Sequence, residues 1–505
     1  MRIITSSRQQ IGKASPLIYG HFLEHFHRQI YSGVYDPGSP FADEDGFRTD
    51  VLEALRNISP GIMRWPGGCY ASSYHWQLGV GKDRTPTYDV TWRVEESNKF
   101  GTDEFIKFCR KVGCEPYICT NAGTGTAEEM SNWVEYCNLK DMGRFARERI
   151  ANGCEEPHAV KYWGIGNENW GSHEIGEKST EEWCRLFQES AKMMLRVDPT
   201  LQISSAAYYY HDKQDWNFRL LQTAGGYLDW VSIHGYWANA EDGVNFPPYQ
   251  SLIQLTGRAL SYYINRVRSH LVAFGLEKQV KIAYDEWNLR FWYHPYTFDT
   301  QNRTNKRNED EAFYQHLINE RNKSDINSIY TMADAVFTAC FFNTCLRNCD
   351  IVQMACYSPI VNTRGAIFTH ENGIVLRPQY FVFQLYTSLM KDTVLNIWKE
   401  DVPTFPGVWD NTEEDIDLVD VVVTYGSGTY AISAVNKDEF GEQNFDLTFL
   451  EGNLTEMRIH TVNGPSADSY NDIDRTEVGI TVSEWVPFTG SITLDPHSVN
   501  VIELR

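Results

Sequence analysis

Eight short β-prone runs, each followed by a helical stretch or a long excursion, impose the strongest constraint on how this chain folds. They are Leu17–Phe22, Gly61–Trp65, Glu115–Thr120, Val160–Gly166, Leu201–Ala206, Leu228–His234, Val280–Tyr284 and Ile351–Cys356. The runs are apolar throughout rather than alternating, as expected for parallel strands buried on both faces. Between them lie amphipathic stretches such as Thr102–Val112, Thr180–Val197 and Ala333–Leu346, the first with Asp103 and Glu104 in its opening turn. Strand followed by helix, eight times over, predicts an α/β chain built as a (β/α)8 TIM barrel.

From Asp392 onward the helical period disappears. Short strands with turn residues between them take over, at Val419–Thr424, Thr429–Val435, Phe445–Phe449, Met457–Thr461, Ser491–Leu494 and Ser498–Leu504. They predict a C-terminal antiparallel, jelly-roll-like β-sandwich. The expected division is an N-terminal strand at 1–14 that joins the sandwich, a barrel over 15–390 and the sandwich over 391–505. At 505 residues the chain has room for both units.

Chemistry in such a barrel sits at the carboxyl ends of the strands. The run Lys161-Tyr-Trp-Gly-Ile-Gly-Asn-Glu-Asn-Trp170 closes on Asn167, Glu168 and Asn169, after two glycines that suit close approach of backbone or ligand. Alone, this reads equally well as a capping cluster. The run Val280-Lys-Ile-Ala-Tyr-Asp-Glu-Trp-Asn288 has the same design and closes on Asp285 and Glu286. Two glutamates delivered to one barrel mouth suggest a sugar site. Retaining glycoside hydrolysis needs two carboxyl groups about 5–5.5 Å apart, one to protonate the leaving oxygen and one to attack the anomeric carbon. The charge of the attacking group is expected to raise the pKa of its neighbour and keep it protonated near neutral pH. Asn167, beside the acid, is placed to hold the sugar 2-hydroxyl.

Composition narrows the alternatives. A formal charge of −22 argues against nucleic acid or an anionic membrane as partner and fits a neutral substrate. Aromatic residues make up 14% of the chain, with 15 Trp, in keeping with flat faces for sugar rings. The first residues, Met1-Arg-Ile-Ile-Thr-Ser-Ser, lack the features of a signal peptide, and the 11 cysteines have no paired spacing. Free thiols and a cytoplasmic location are expected. Arg64, next to an apolar strand, reads as the partner of a buried carboxylate; Trp65 and Trp287 read as cavity wall or core. A polar excursion from Phe291 to about Asn327, within an insertion spanning 289–327, either covers the site or is a solvated insertion.

Two rival classes need weighing. His21-Phe-Leu-Glu-His25 matches the H-x-x-E-H pattern of some zinc proteases, with His21 and His25 as ligands and Glu24 as base. That pattern needs a helix, and here it follows a strand and a turn. A sugar-binding protein without catalysis is the other rival, against which both carboxylates and Asn167 are intact.

Several longer stretches carry a resemblance. Ile18-Tyr-Gly-His-Phe-Leu-Glu-His25, Arg64-Trp-Pro-Gly-Gly68, Asn98-Lys-Phe-Gly-Thr-Asp-Glu-Phe105, Asn132-Trp-Val-Glu-Tyr-Cys-Asn138, Gly166-Asn-Glu-Asn-Trp-Gly171, Asp285-Glu-Trp-Asn288 and Asn362-Thr-Arg-Gly365 resemble glycoside hydrolase family 51, the α-L-arabinofuranosidases. The resemblance covers residues from about 16 to 390. It implies a retaining, exo-acting α-L-arabinofuranosidase that releases terminal arabinofuranosyl residues from arabino-oligosaccharides or arabinoxylan fragments, without metal or cofactor. Related activities on the same scaffold are β-D-xylosidase, β-D-galactofuranosidase and endo-β-1,4-glucanase. By the resemblance Glu168 is the acid/base and Glu286 the nucleophile. Glu24 and Asn167 bind sugar hydroxyls, Tyr236 hydrogen-bonds the nucleophile, and Trp92 and Gln353 complete the subsite. Cys69 stands where many members carry Asn and would be a weaker hydroxyl partner. Homo-oligomers, often hexamers, are common in the family.

Overall fold

A computed structural model describes residues 1–210, 213, 215–239, 248–291, 318–319, 321–451 and 454–505. Eight parallel strands close into a barrel: β1 (Gly20–Phe22), β2 (Ile62–Trp65), β3 (Glu115–Thr120), β4 (Tyr162–Ile165), β5 (Gln202–Ala206), β6 (Trp230–Asn239), β7 (Lys281–Phe291) and β8 (Val352–Tyr357). β8 pairs with β7 on one side and β1 on the other, which completes the ring. Each predicted run yields one strand. The first is shorter than expected, because Pro16–Tyr19 forms a 3-10 turn. Pro16 opens that turn and Ser15 caps it, its hydroxyl accepting from Leu17 N at 3.2 Å. β6 and β7 run longer than expected and pair well past the predicted ends, setting Glu286 opposite His234 and Asn288 opposite Tyr236.

The helices follow local logic. Thr180–Val197 opens with a capping box in which Ser179 and Glu182 satisfy each other's backbone N–H groups. Met332–Arg347 is apolar on every side, and accordingly almost all of it is buried. No helix among the described residues is long and apolar enough to cross a membrane. The expectation for the excursion at 289–327 falls mainly on residues 292–317 and 320, which lie outside the described residues. Its final part is held against the barrel, where Arg321 Nη2 donates to the carbonyl of Trp92 at 2.5 Å.

The C-terminal region forms a ten-stranded sheet joined by the chain's first strand, Arg2–Lys13. That strand is antiparallel to Thr393–Glu400 and parallel to Gln443–Phe449, so the sheet is mostly, not wholly, antiparallel. It enters from outside the succession of hairpins, and no tight turn dictates its direction. Alternation along Val419–Gly426 decides what each face buries. Val419, Val421 and Val423 join the sheet's own core with Ile432, Phe445 and Leu504. Val422 faces the other way and belongs to the barrel's core, as do Val499 and Val501. A separate hairpin, Thr404–Trp409 with Thr412–Asp417, pairs with no strand of the large sheet.

Candidate active site

The carboxyl ends of the strands surround a cavity of about 630 Å³ into which Glu24, Cys69, Trp92, Glu168, Tyr236 and Glu286 all project. β4 ends at Ile165, and Gly166 turns the chain at φ 71°, where a side chain would strike Asn169 and Trp183. Glu168 itself holds φ 40°, an uncommon backbone for a residue other than glycine. Strain of this kind persists where the surroundings over-determine it, which is common at functional sites. Opposite, the Pro66-Gly67-Gly68 turn leaves the two carboxylates room. A Cβ on Gly67 would lie 2.6 Å from Glu24 Cγ, and one on Gly68 would lie 2.9 Å from Glu286 Oε1.

Glu286 is fixed from two sides. Arg64 Nη1 donates to Oε1 at 2.6 Å and Tyr236 donates to Oε2 at 2.9 Å, with Ser358 Oγ a further 2.8 Å from the phenol oxygen. Arg64 is fully buried and spans a network, with Nε 3.4 Å from Asp285 and Nη2 donating to Asn167 Oδ1 at 2.8 Å. It is indeed the partner of buried carboxylates, and one of them is Glu286.

Glu168 sits between two imidazoles. His234 Nδ1 lies 2.7 Å from Oε1 and His173 Nε2 lies 2.8 Å from Oε2. The other His234 nitrogen is 3.3 Å from Asp285 Oδ1, so both of its ring nitrogens face carboxylates and act as donors. Burial opposes charge on His234, but Glu286 and Glu168 push its pKa up to about 10. His173 is raised to about 9, where burial is outweighed by its bond to Glu168. Burial by itself would raise Glu168, yet the two imidazoles hold it well below the usual carboxylate range. This runs against the expectation that the neighbouring anion raises the Glu168 pKa: the two imidazoles lower it. His234 Nδ1 is also 3.5 Å from Glu286 Oε2. Those two carboxylate oxygens therefore lie no farther apart than the two distances end to end, a bound compatible with the roughly 5–5.5 Å of a retaining pair.

Glu24 is pushed by burial to about 8, with the Glu286 and Glu174 charges adding to the effect. Its Oε1 accepts from Tyr70 N at 3.0 Å and Trp92 Nε1 at 3.2 Å. Near neutral pH the carboxyl is thus protonated, and it has a hydrogen to offer a sugar oxygen. Trp92 spends its indole N–H on Glu24. Asn167 is buried behind the cavity wall: Oδ1 takes Arg64, and Nδ2 donates to Glu174 Oε1 at 2.8 Å, leaving one amide hydrogen. Cys69 hydrogen-bonds Glu174, whose carboxyl burial raises to about 7.

Gln353 needs correction. It is the second residue of β8, at the amino end, and its amide donates to the carbonyls of Lys13 (3.2 Å) and Cys349, away from the cavity. The carboxyl end of β8 instead leads to Ser358 and Arg364 at the cavity, with the guanidinium stacked 4.8 Å over the Tyr236 ring. Trp65 and Trp287 are core, the latter stacked 3.6 Å from Phe341. His21, Glu24 and His25 do not converge. His21 is buried against Phe383, and His25 bonds Glu96 at 2.9 Å and Trp65 at 3.0 Å. Neither group of metal-ligating side chains among the described residues includes any of the three. His234, His173, Glu174, Ser358 and Arg364 were not singled out from the sequence. His234 carried a signal, two residues before Tyr236 and so on the same strand face, and Arg364 lay within the quoted stretch Asn362-Thr-Arg-Gly365.

An eight-stranded barrel with two carboxylates closing on one nitrogen over an aromatic cavity defines a glycoside hydrolase. Comparison with known proteins narrows the class. Residues 54–251 match the "Alpha-L-arabinofuranosidase 1 domain" and residues 285–498 the "Alpha-L-arabinofuranosidase C-terminal domain". The "Probable alpha-L-arabinofuranosidase C" of Aspergillus clavatus is 32% identical, covering 100% of this chain and 97% of that one. The "Intracellular exo-alpha-(1->5)-L-arabinofuranosidase 1" of Bacillus subtilis is 30% identical over 87% of this chain and 85% of its own length. The crystal structure of α-L-arabinofuranosidase from Thermotoga maritima, an arabinose complex, superposes with a TM-score of 0.86 at 30% identity and 99% coverage of each chain. The chain belongs to glycoside hydrolase family 51, the α-L-arabinofuranosidase family.

Proposed function

We propose that the protein is a retaining, exo-acting α-L-arabinofuranosidase that removes terminal arabinofuranosyl units from short arabino-oligosaccharides or arabinoxylan fragments. The observation that carries the reading is the approach of Glu168 and Glu286 to the same His234 nitrogen within one cavity. In this reading Glu286 attacks the anomeric carbon, its carboxylate aimed by Arg64 and Tyr236. Glu168 protonates the departing oxygen. It draws the proton from His173 or His234, which hold it in the resting site, and later accepts one from the attacking water. As Glu286 becomes an ester its charge disappears. The imidazoles then have one anion fewer to stabilise them and release a proton more readily. Glu24 donates to a sugar hydroxyl, and Asn167 positions Arg64 and Glu174 with one amide hydrogen to spare.

Residues 15–390 carry the chemistry in this proposal, with 1–14 and 391–505 as support. A cytoplasmic location is favoured by the free state of all eleven cysteines and by the Bacillus relative's description as intracellular. Assembly as a homo-oligomer is part of the same proposal.

The test is initial rates on matched aryl glycosides: α-L-arabinofuranoside, β-D-xylopyranoside, β-D-galactofuranoside and β-D-glucopyranoside. A marked preference for the first is expected. Preference for another sugar replaces the substrate assignment with the corresponding related activity. Hydrolysis of none, together with none of arabino-oligosaccharides, overturns the reading.

A further inference from the structure

A ladder of aromatic rings leads from the cavity wall across the barrel rim to the C-terminal region. Trp170 and Tyr210 line the cavity with their ring centres 5.9 Å apart. Tyr210 is 5.8 Å from Tyr263, and Tyr263 is 6.2 Å from Trp409. Tyr262 flanks the far end, 5.0 Å from Trp409. Tyr209 and Tyr210 belong to the cavity that holds the carboxylates. They also wall a second hollow of about 310 Å³, closed by Tyr262, Tyr263, Trp409 and Asp410. Tyr210 is 44% exposed, and Tyr262, Tyr263 and Trp409 are half-buried.

The way Trp409 is delivered bears on its purpose. The hairpin Thr404–Trp409/Thr412–Asp417 leaves the large sheet and turns at Asp410 and Asn411, with φ 49° and 57°, in the tight two-residue manner. Both oxygens of Glu414 accept from Arg258 N, at 3.0 and 2.9 Å, at the start of the helix Arg258–Ala273 that carries Tyr262 and Tyr263. Val408 N donates to Gln254 Oε1 at 3.3 Å. Glu414 and Val408 would suffice for a brace between the two parts of the molecule. A brace gives no reason for half-open rings around a hollow that shares the Tyr209–Tyr210 wall with the cavity.

We propose that this ladder is a leaving-group subsite that holds the neutral oligosaccharide chain from which the terminal arabinofuranosyl unit is cut. The inference rests on the arabinofuranosidase reading and extends it to the substrate's far end. Ring faces cover the apolar faces of sugar units, while the tyrosine hydroxyls and the Asp410 carboxylate meet sugar hydroxyls.

The test compares the wild type with Trp409→Ala and Trp409→Phe on an aryl α-L-arabinofuranoside and on arabinofuranosyl oligosaccharides of increasing length. In the wild type, kcat/KM relative to the aryl glycoside is expected to rise with chain length. In Trp409→Ala that rise falls about five- to tenfold, through KM, and Trp409→Phe recovers most of it. Calorimetric titration of the longest oligosaccharide into Glu286→Ala and Glu286→Ala/Trp409→Ala reads binding without turnover, and a matching weakening of Kd is expected. Equal Kd values, or a ratio untouched by Trp409→Ala, overturn the ladder. A lower melting temperature with equal loss on every substrate assigns Trp409 to the brace alone and also overturns it. Failure of the wild type to hydrolyse any arabinofuranoside overturns the functional reading instead, and the titration still decides the ladder.

Discussion

The segment after β4 and the middle of β7 hand the same side chain to the same cavity and surround it in opposite ways. Glu286 is held by Arg64, whose charge is permanent, and by a phenol. Glu168 is held by His234 and His173, whose charges come and go with protons. The partners therefore carry the distinction between the two roles. A group that attacks must stay aimed, which a fixed cation and a phenol provide. A group that gives and takes a proton needs neighbours able to exchange one.

Three substitutions test that contrast. Glu286→Ala, which removes the aimed carboxylate, is expected to lower kcat by about 10⁴-fold or more on every arabinofuranoside. Residual turnover that is independent of leaving group would deny it the nucleophile's role. Glu168→Ala is expected to cost about 10²–10⁴-fold on substrates with poor leaving groups and about tenfold or less on those with good ones. Rates against a series of aryl leaving groups read this directly, and equal losses along the series would refute the acid assignment. His173→Gln is expected to have the smallest effect, a loss of about tenfold on poor leaving groups, with a signature in stability. Because the folded pKa of His173 is raised to about 9, its charge stabilises the fold fully below the unfolded value near 6.5 and ceases to do so as pH climbs through 9. The melting deficit of the variant should be greatest at and below about pH 6.5 and close by about pH 10. A deficit that does not change with pH would mean that His173 contributes packing only.

The two glutamates were legible because each follows a continuous apolar run, although Glu286 proves to lie within β7 and Glu168 three residues past β4. Gln353 failed for the complementary reason. It lies on the right strand, but the run read as Ile351–Cys356 already set it near the amino end, and only the resemblance carried it to the mouth. His234 was legible in principle from its period-two relation to Tyr236. His173 and Glu174 follow no period, since they occupy the irregular segment after β4 where no pattern tells which side chain folds back. The direction of the Glu168 shift escaped for that reason: with His173 and His234 unplaced, the anion at Glu286 was the one charge in view. In the C-terminal region the alternating strands were read, while the strand at Thr393–Glu400 and the detached hairpin carrying Trp409 were missed. Their exposed polar faces blur the alternation.

The strand Arg2–Lys13 finds both of its neighbours near the other end of the chain. A ribosome that adds roughly 5–20 residues per second would need roughly 20–80 s to go from that strand to its partners. Throughout that interval the segment is an unpaired strand, the kind of edge that recruits foreign strands. Its central stretch, Ser6-Ser7-Arg8-Gln9-Gln10, is polar and charged, which discourages such pairing during the wait. The middle of the sheet is thus closed by segments that leave the ribosome far apart in time.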